Sequence, residues 1–431
     1  MAFTFRKGIH PKGSKERTEN LPLETMPAPK TLYFPLSQHL GAPAEAAVKA
    51  GDKVKAGSLI GVTKGFVSAN VYSSVSGEVK GIVTRKSAQG VMTPHIEIEN
   101  DGEYSEALLE KLVNPSREQI IERIKQAGIV GMGGAAFPTH VKLTPSKPVD
   151  TLIINGAECE PYITCDYRLM LERAEEIIKG VKYLMKALNV SKAVIGIENN
   201  KPEAINKFLL MDAEGIEIAE LKAKYPQGAE KQLIYAITKR KVPAGGLPMD
   251  IGAVVQNIHT AYAVYQAIEE GVPSHTRMVT VSGKAISKPA NLIVRTGTTY
   301  ADIYEYCKGD AKKECVKVIS GGPMMGFAQA DLTPSVTKGC SAILFLTREE
   351  VCLAKPSPCI NCTACSHVCP MNLMPMFIDA CAIAGDIDGV IKYKAANCIE
   401  CGSCSFVCPA KRPLVQSIRL GKKMLKDKVV K

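Results

Sequence analysis

Residues 359–370 read CINCTACSHVCP, and residues 398–409 read CIECGSCSFVCP. Each run holds three cysteines at three-residue spacing, then a fourth cysteine that is followed by proline. Three thiolates this close together in a tight loop can reach three corners of an iron–sulfur cube, and the fourth ligand must come from elsewhere in the chain. The two runs therefore predict two 4Fe–4S clusters.

The last cysteine of each run is expected to cross to the other cluster, as in two-cluster ferredoxins. The first cysteine set, for one cluster, is Cys359, Cys362, Cys365 and Cys408. The second cysteine set, for the other cluster, is Cys398, Cys401, Cys404 and Cys369. A pair of zinc sites is the alternative, but closed zinc sets do not need the x-x-x-Cys-Pro element twice. Two neighbouring clusters would form a relay for single electrons.

The composition is typical of a folded protein of several domains. The chain has 431 residues, 46% of them hydrophobic, and no apolar run approaches the length of about 18 residues that predicts a membrane span. The chain has 15 cysteines, and its start lacks the apolar core of a signal peptide, which favours metal ligation over disulfides. We therefore expect a cytoplasmic location and no transmembrane segment.

The net charge of +11 does not by itself identify a partner. A basic face suits an anionic lipid surface or an acidic protein equally well. An iron–sulfur enzyme that acts on nucleic acid is also compatible with the charge, but the chain has no Trp and no helicase or nuclease motif. We expect no nucleic-acid partner. The basic tail from Lys411 to Lys431 has helical spacing, which fits a solvated helix packed on the cluster module or a contact with anionic lipid.

The middle of the chain alternates strand and helix patterns. A strand is predicted at TLIINGA (151–157), a helix over Arg168–Leu188, and a second strand at AVIGIEN (193–199). This order argues for a parallel α/β layer. Before it, residues 114–127 have the apolar spacing of a helix.

A glycine-rich loop follows that first helix. Gly131, Gly133, Gly134 and Ala136 fit the pattern GxGxxA, but the dinucleotide fingerprint should follow a strand and open a helix. Here the loop follows a helix and ends at Pro138, so a standard Rossmann turn is not supported. Such a loop can still present backbone N–H groups to phosphates or to a flavin edge. The alternative is a tight helix–strand connection.

Four ordered segments resemble the flavin- and NADH-binding subunit of respiratory complex I. They are GMGGAAFPTHVK (131–142), NGAECEPYITCDYR (155–168), YPQGAE (225–230) and VQNIHT (255–260). The resemblance implies an FMN with NAD(H) stacked on its exposed face. The residues that it implies for this site are Gly131, Gly133, Gly134, Lys142, Asn155, Glu158, Glu160, Tyr225, Gly228, Glu230, Asn257 and Thr260.

Several positions depart from the complex I pattern. Met132 stands where that family has Arg, Ala157 where it has Asp, Cys159 where it has Ser, and Ala229 where it has Glu. These changes bear on the nicotinamide contacts and on the flavin potential. Lys142 and Glu158 have a plainer interpretation as a surface ion pair.

Three further segments resemble the NAD-, FMN- and cluster-binding subunit of the Rnf electron-transport complex, known as RnfC. They are FRKGIHP (5–11), the stretch 47–82, which is similar to a biotinyl/lipoyl-type barrel-sandwich hybrid, and ISGGPMMG (319–326), which is similar to that subunit's ligand-binding β-grasp module. Lys64 lies in Thr-Lys-Gly and not in a lipoyl or biotin motif, so we expect no swinging arm. The resemblance covers nearly the whole chain.

The predicted fold class is multidomain α/β. The predicted ranges are an N-terminal arm (1–30), a barrel-sandwich hybrid (31–104), a complex I flavin-subunit-like FMN/NAD-binding α/β domain (105–272), a β-grasp domain (273–348) and an α-helical two-cluster ferredoxin-like module with a basic tail (349–431). We call the last four the barrel domain, the α/β domain, the third domain and the cluster module.

The resemblance implies a peripheral subunit of a membrane-bound ferredoxin:NAD+ oxidoreductase, on the cytoplasmic side of the membrane. Electrons from ferredoxin would arrive through partner subunits, reach the two clusters, then FMN and NAD(H), and ion translocation would belong to the membrane partners. One alternative is an FMN- and cluster-containing cobalamin reductase of a diol-degrading microcompartment. Another is a non-enzymatic ferredoxin-type connector that holds clusters but no flavin.

Overall fold

The computed structural model describes residues 2–211, 213–310 and 313–429. The N-terminal segment is more than an arm, because it contains strand β1 (Leu23–Thr25). This strand lies at the edge of a sheet that belongs mainly to the third domain. None of the helices in the described ranges has the length and apolar character needed to cross a membrane.

The barrel domain consists of two small antiparallel sheets packed face to face. Its strands β2 to β8 are Thr31–Pro35, Glu45–Ala46, Lys53–Val54, Leu59–Val62, Val71–Tyr72, Gly77–Lys86 and Met92–Asn100. One sheet has the order β2-β8-β7-β4 and the other has the order β3-β5-β6. Leu32 and Phe34 of β2 and Ile96 and Ile98 of β8 are completely buried, so alternate side chains of these strands fill the core.

The α/β domain has a parallel four-stranded sheet of order β11-β10-β9-β12. Its elements in chain order are α1 (Arg117–Gln126), α2 (Thr139–Lys142), β9 (Thr151–Gly156), α3 (Cys165–Glu172), α4 (Ala174–Leu188), β10 (Ala193–Glu198), α5 (Pro202–Leu209), β11 (Ile216–Leu221), α6 (Glu230–Thr238), β12 (Ala253–Asn257) and α7 (Ile258–Tyr265). All six residues of β10 are buried, as expected for a central parallel strand.

Two local predictions for this domain have different outcomes. A helix does lie within residues 114–127, since α1 begins after the capping box of Ser116 and buries Ile120 and Ile124. The stretch predicted to be helical over Arg168–Leu188 is helical except at Arg173, which divides it into α3 and α4. Arg173 leaves the helical region, with φ −135° and ψ 36°, and both helices bury an apolar face in the same core.

The third domain is built on a mixed six-stranded sheet of order β1-β14-β13-β17-β15-β16. Its own elements are β13 (Thr276–Ser282), β14 (Ala290–Arg295), α8 (Tyr300–Tyr306), β15 (Lys317–Ser320), β16 (Phe327–Gln329) and β17 (Ala342–Leu346). β1 pairs in parallel with β14. The N-terminal segment therefore completes the sheet at one edge.

The cluster module is α-helical, with α9 (Ala364–Val368), α10 (Pro375–Ala384), α11 (Ile387–Lys392), α12 (Ser403–Val407) and α13 (Leu414–Val429). The short helices α9 and α12 occupy equivalent places in the two cysteine runs. Leu414 and Ile418 of α13 are buried in the module's own core, which agrees with a tail helix packed on the module. Val430 and Lys431 of the tail lie outside the described residues.

Candidate redox centres

Each cysteine set lines one cavity of the cluster module. The first cavity is lined by Cys359, Cys362, Cys365 and Cys408. The second cavity is lined by Cys369, Cys398, Cys401 and Cys404. The chain thus brings together the same two groups of four that the crossing pattern predicts.

The spacing of these thiols suits a cube better than a single ion. Within the described residues, no three His, Cys, Asp or Glu side chains converge closely enough to hold one metal ion. A zinc site requires four ligand atoms near 2.3 Å from one point. The thiols instead surround a space that also has apolar walls, including Met376 in the first cavity and Leu373 and Ile418 in the second. This arrangement fits cluster binding.

The two cysteine sets differ in their exposure. Cys359 and Cys362 of the first set are exposed to solvent. In the second set, Cys369, Cys401 and Cys404 are buried. Cys365 of the first set is also buried, and each set has one half-buried cysteine, Cys408 and Cys398, so the difference is that only the first set has cysteines exposed to solvent.

The second cysteine set is packed against the α/β domain. The Tyr225 hydroxyl donates a hydrogen bond of 2.7 Å to the main-chain oxygen of Cys401, and Tyr225, Cys401, Ile9 and Cys159 share one apolar cluster. The N–H of Ile9 donates to the Tyr225 oxygen at 2.8 Å, so the FRKGIHP segment lies in this interface.

The glycine-rich loop connects α1 to α2 and has one fixed face and one open face. The N–H of Met132 donates to the Thr260 hydroxyl at 3.0 Å. A Cβ on Gly133 would lie 2.7 Å from Nδ2 of Asn257, whereas a Cβ on Gly134 would meet nothing within 4 Å. The N–H of Gly131 donates a hydrogen bond to the Phe137 oxygen, which joins the two ends of the loop. The loop therefore leaves open space at Gly134, where a ligand can approach the backbone.

Two asparagines lie at the carboxyl ends of neighbouring parallel strands. Asn155 of β9 donates to the Gly228 oxygen at 2.8 Å, and Asn257 of β12 donates to the Asp166 carboxylate at 2.8 Å. Ligands of open α/β sheets bind at this edge. With the contacts of the glycine-rich loop to Thr260 and Asn257, these bonds bring together all four segments that resemble the complex I subunit.

Glu158 occupies the same edge, and its Oε2 lies 3.8 Å from the ammonium of Lys15. Its Oε1 accepts a hydrogen bond from the N–H of Asp166 at 2.7 Å, while its buried Oε2 has no hydrogen-bond partner. Oδ1 of Asp166 is also buried without a partner. Burial raises the pKa of Glu158 to about 7. These two oxygens, which accept no hydrogen bond, fit a ligand rich in O–H and N–H donors, such as the ribityl chain and ring of a flavin.

Glu160 contacts a different part of the molecule. Its carboxylate accepts hydrogen bonds from the N–H groups of Met324 and Met325 at 3.1 and 3.0 Å, and its Oε1 lies 3.4 Å from the Tyr225 hydroxyl oxygen. Burial raises the pKa of Glu160 to about 7. Its contacts hold the ISGGPMMG loop of the third domain beside the second cysteine set.

Lys142 and Glu158 do not form the ion pair that their sequence would also permit. Lys142 pairs with Glu230 at 2.9 Å and also donates to the Val255 oxygen at 3.2 Å. The nearest cation to Glu158 is Lys15, at 3.8 Å. Lys142 and Glu230 are partly exposed, at 30% and 39% of the side chain, so both can turn toward a ligand.

Lys15 and Lys201 both hold the segment that carries Glu158, a role that was not predicted from the sequence. Lys15 donates to the main-chain oxygens of Glu158 and Glu160 at 3.0 and 3.1 Å. Lys201 donates to the Ala157 oxygen at 2.7 Å. A lysine in a polar arm gives no signal of this role, because only the tertiary structure places it against a distant loop.

Cys159 is a half-buried residue beside the segments that resemble the complex I subunit. The N–H of Gly228 donates to its sulfur at 3.2 Å. Burial raises the pKa of the thiol, so it stays protonated at neutral pH. Cys159 therefore serves as packing and as a hydrogen-bond acceptor.

Three protein-family profiles match the chain. The RnfC barrel sandwich hybrid domain matches residues 3–103, the Nuo51 FMN-binding domain matches residues 124–266, and the 4Fe-4S dicluster domain matches residues 358–412. The matches confirm the barrel-sandwich hybrid, the flavin-subunit-like domain and the two-cluster module.

Curated relatives match over almost the whole chain. The C subunit of the proton-translocating ferredoxin:NAD(+) oxidoreductase complex of Clostridium ljungdahlii is 48% identical, over 97% of this chain and 93% of the relative. Its counterpart in the Na(+)-translocating complex of Acetobacterium woodii is 44% identical, over 97% and 96%. Its counterpart in the ion-translocating oxidoreductase complex of Rhodobacter capsulatus is 45% identical, over 99% and 84%. These relatives do not favour the cobalamin reductase alternative, and the chain belongs to the RnfC family of ion-translocating ferredoxin:NAD+ oxidoreductase complexes.

Proposed function

We propose that this chain is the peripheral subunit of a membrane-bound, ion-translocating ferredoxin:NAD+ oxidoreductase and passes electrons between a one-electron partner and NAD(H). Its partners are other subunits of the complex, with ferredoxin acting through them. The proposal is supported by relatives that are named for such complexes. Because NAD(H) and ferredoxin are cytoplasmic, we place the chain on the cytoplasmic side of the membrane.

The cofactors that we propose are two 4Fe–4S clusters and one FMN, with NAD(H) as substrate. A flavin, when bound, exchanges hydride with nicotinamide and single electrons with clusters. The glycine loop and the strand-end residues Asn155, Glu158 and Asn257 would hold it. Burial raises the pKa of the Glu158 carboxyl, against the opposing charges of Lys15 and Lys201.

One observation carries the proposed function. Tyr225 touches Cys401 of the second cysteine set, and the same side chain contacts Cys159 and Glu160 on the segment that carries the flavin residues. The second cysteine set is therefore the one beside the flavin residues. The first set, with Cys359 and Cys362 exposed, suits exchange with the partner.

The direct test is anaerobic purification with iron, sulfide and flavin measured on one sample. We expect about eight iron atoms per chain, four for each cluster, and one FMN. We also expect the protein to oxidise NADH with ferricyanide as acceptor. Zinc in place of iron, or no flavin after reconstitution, would refute the proposal. Clusters without flavin would identify the connector instead.

A further inference from the structure

The carboxyl end of helix α1 leads directly into the glycine-rich loop, and neighbouring domains satisfy its last carbonyl groups. The final carbonyls of a helix have no partner within the helix. Here the Gln126 oxygen accepts hydrogen bonds from Nδ2 of Asn70, at 3.1 Å, and from the Tyr72 hydroxyl, both in the barrel domain. The Gly128 oxygen accepts from the ammonium of Lys338 in the third domain at 2.7 Å.

Lys338 is an unusual lysine because its charge is deeply buried. The residue is 1% exposed, and the two acceptors of its ammonium are the main-chain oxygens of Asn70 and Gly128. Burial lowers the pKa of Lys338 to about 7. A buried charge costs free energy, and the partial negative charge at the end of α1 offsets part of that cost. The ammonium joins the barrel domain, the α/β domain and the third domain at the start of the loop.

Arg277 of β13 holds the middle of the loop from the same side. This residue is also 1% exposed. Its guanidinium donates to the Met132 oxygen at 2.6 Å and to the Cys340 oxygen at 2.6 Å, and it contacts Nδ1 of His259. Met132 is thus fixed at both main-chain groups, since its N–H donates to Thr260.

The end of the loop is enclosed by the same two neighbouring domains. The N–H of Leu40, in the barrel domain, donates to the Ala136 oxygen at 3.3 Å. On the other side, a Cβ added to Gly339 would lie 3.2 Å from Cβ of Ala136. Ala136 itself has a φ of +52°, a conformation that the surrounding contacts must maintain.

We propose that Arg277 and Lys338 are positioning residues that hold the glycine-rich loop in the shape that binds the flavin. The inference rests on the proposed function. Both side chains are 1% exposed, and neither lies within 4 Å of a Cβ placed on Gly134, so neither reaches the open space of the loop. The third domain and the barrel domain are accordingly parts of the flavin site, because they supply the buried donors that fix the loop.

The test uses the whole chain with Lys338→Met, Arg277→Lys and Gly339→Ala, against Lys317→Met, an exposed lysine of the same domain, as matched control. In flavin-free protein we expect faster hydrogen exchange at residues 128–137 in Lys338→Met and in Arg277→Lys. The dissociation constant of FMN should rise roughly tenfold, the effect of losing one buried hydrogen bond from a charged donor. The visible circular dichroism of flavin bound at saturation should also change, and the iron content should not.

Gly339→Ala keeps both charges and displaces Ala136 by contact alone. This substitution should also raise the dissociation constant of FMN, by a smaller factor than the other two. It keeps the inference testable if Lys338→Met does not fold. Unchanged exchange, FMN affinity and flavin dichroism in Gly339→Ala and Arg277→Lys would overturn the inference. A wild-type protein that binds no FMN would refute the proposed function instead, and the exchange at residues 128–137 would then decide the inference alone.

Discussion

The Tyr225 hydroxyl donates a hydrogen bond of 2.7 Å to the main-chain oxygen of Cys401, and this contact joins the α/β domain to the second cysteine set. Both residues are buried. The contact places a proposed cluster ligand next to the proposed flavin residues. It also makes the interface sensitive to a change of a single atom.

Removing that hydroxyl should loosen the second cysteine set. In Tyr225→Phe the Cys401 oxygen stays buried and loses its donor, which costs about 1–3 kcal/mol. When the anaerobic protein is mixed with a chelator, we expect the iron of the second cysteine set, about half of the total, to be released roughly tenfold faster than in wild type. Tyr104→Phe, in the barrel domain, is the matched control. Iron release that is the same in both variants would contradict the prediction.

Loss of one cluster should have different effects for the two cysteine sets. We expect Cys365→Ser and Cys404→Ser each to retain about four iron atoms. After mixing with NADH, Cys365→Ser should still show rapid reduction of its remaining cluster, because the second set lies beside the flavin residues. Cys404→Ser should reduce its remaining cluster slowly. Freeze-quenched electron paramagnetic resonance would measure the rate of cluster reduction in each variant, with Cys381→Ser as control. Equal rates in Cys365→Ser and Cys404→Ser would contradict a path in which electrons from NADH reach the second set first.

The glycine-rich loop offers two neighbouring substitutions with different expected results. Gly133→Ala places a Cβ 2.7 Å from Nδ2 of Asn257, so it should lower the thermal midpoint of the flavin-free protein. Gly134→Ala meets nothing within 4 Å and should leave that midpoint unchanged. Both should weaken FMN binding, Gly134→Ala because its methyl group enters the space of the ligand. Full FMN affinity in Gly134→Ala, measured by quenching of flavin fluorescence, would place the ligand elsewhere.

Glu160 should make stability depend on pH. Burial raises its pKa from the usual 4.5 to about 7, against the opposing effects of the Met324 and Met325 N–H groups, the Tyr225 hydroxyl and Lys15. Between these values the folded chain keeps a proton that the unfolded chain has lost. Stability therefore falls as pH rises through this window, by up to about 1.4 kcal/mol per pH unit.

The Glu160→Gln variant lacks this titration. Its thermal midpoint, relative to that of wild type, should rise as the pH is raised from about 5 to about 8. Glu106→Gln, at an exposed position just after the barrel domain, should show a constant difference from wild type. A constant difference for Glu160→Gln as well would mean that the Glu160 carboxyl does not titrate in this window.

Local patterns predicted much of the fold and part of the site. The spacing of the cysteines predicted two groups of four ligands because three of the four are close in sequence. The parallel strands β9 and β10 were evident from their apolar runs. The break at Arg173 was not evident, since apolar residues continue on both sides of it and helical spacing alone does not reveal a bend.

The contacts of single side chains could not be predicted in the same way. Lys142 pairs with Glu230, and Glu158 lies near Lys15, although the sequence permits a pair between Lys142 and Glu158. The side chain of Glu160 lies against Met324 and Met325 of another domain. Such choices depend on which distant segments meet in the folded chain.

The sequence by itself determined the chemistry of this protein, because thiol spacing and strand-end polar residues are local features that survive in any correct fold. Only the tertiary structure decided which cysteine set lies beside the proposed flavin residues and which buried cations contact the glycine-rich loop. Tyr225 and Cys401, like Lys338 and Gly128, are far apart in the chain. Their contacts arise from the packing of whole domains, which no local pattern records.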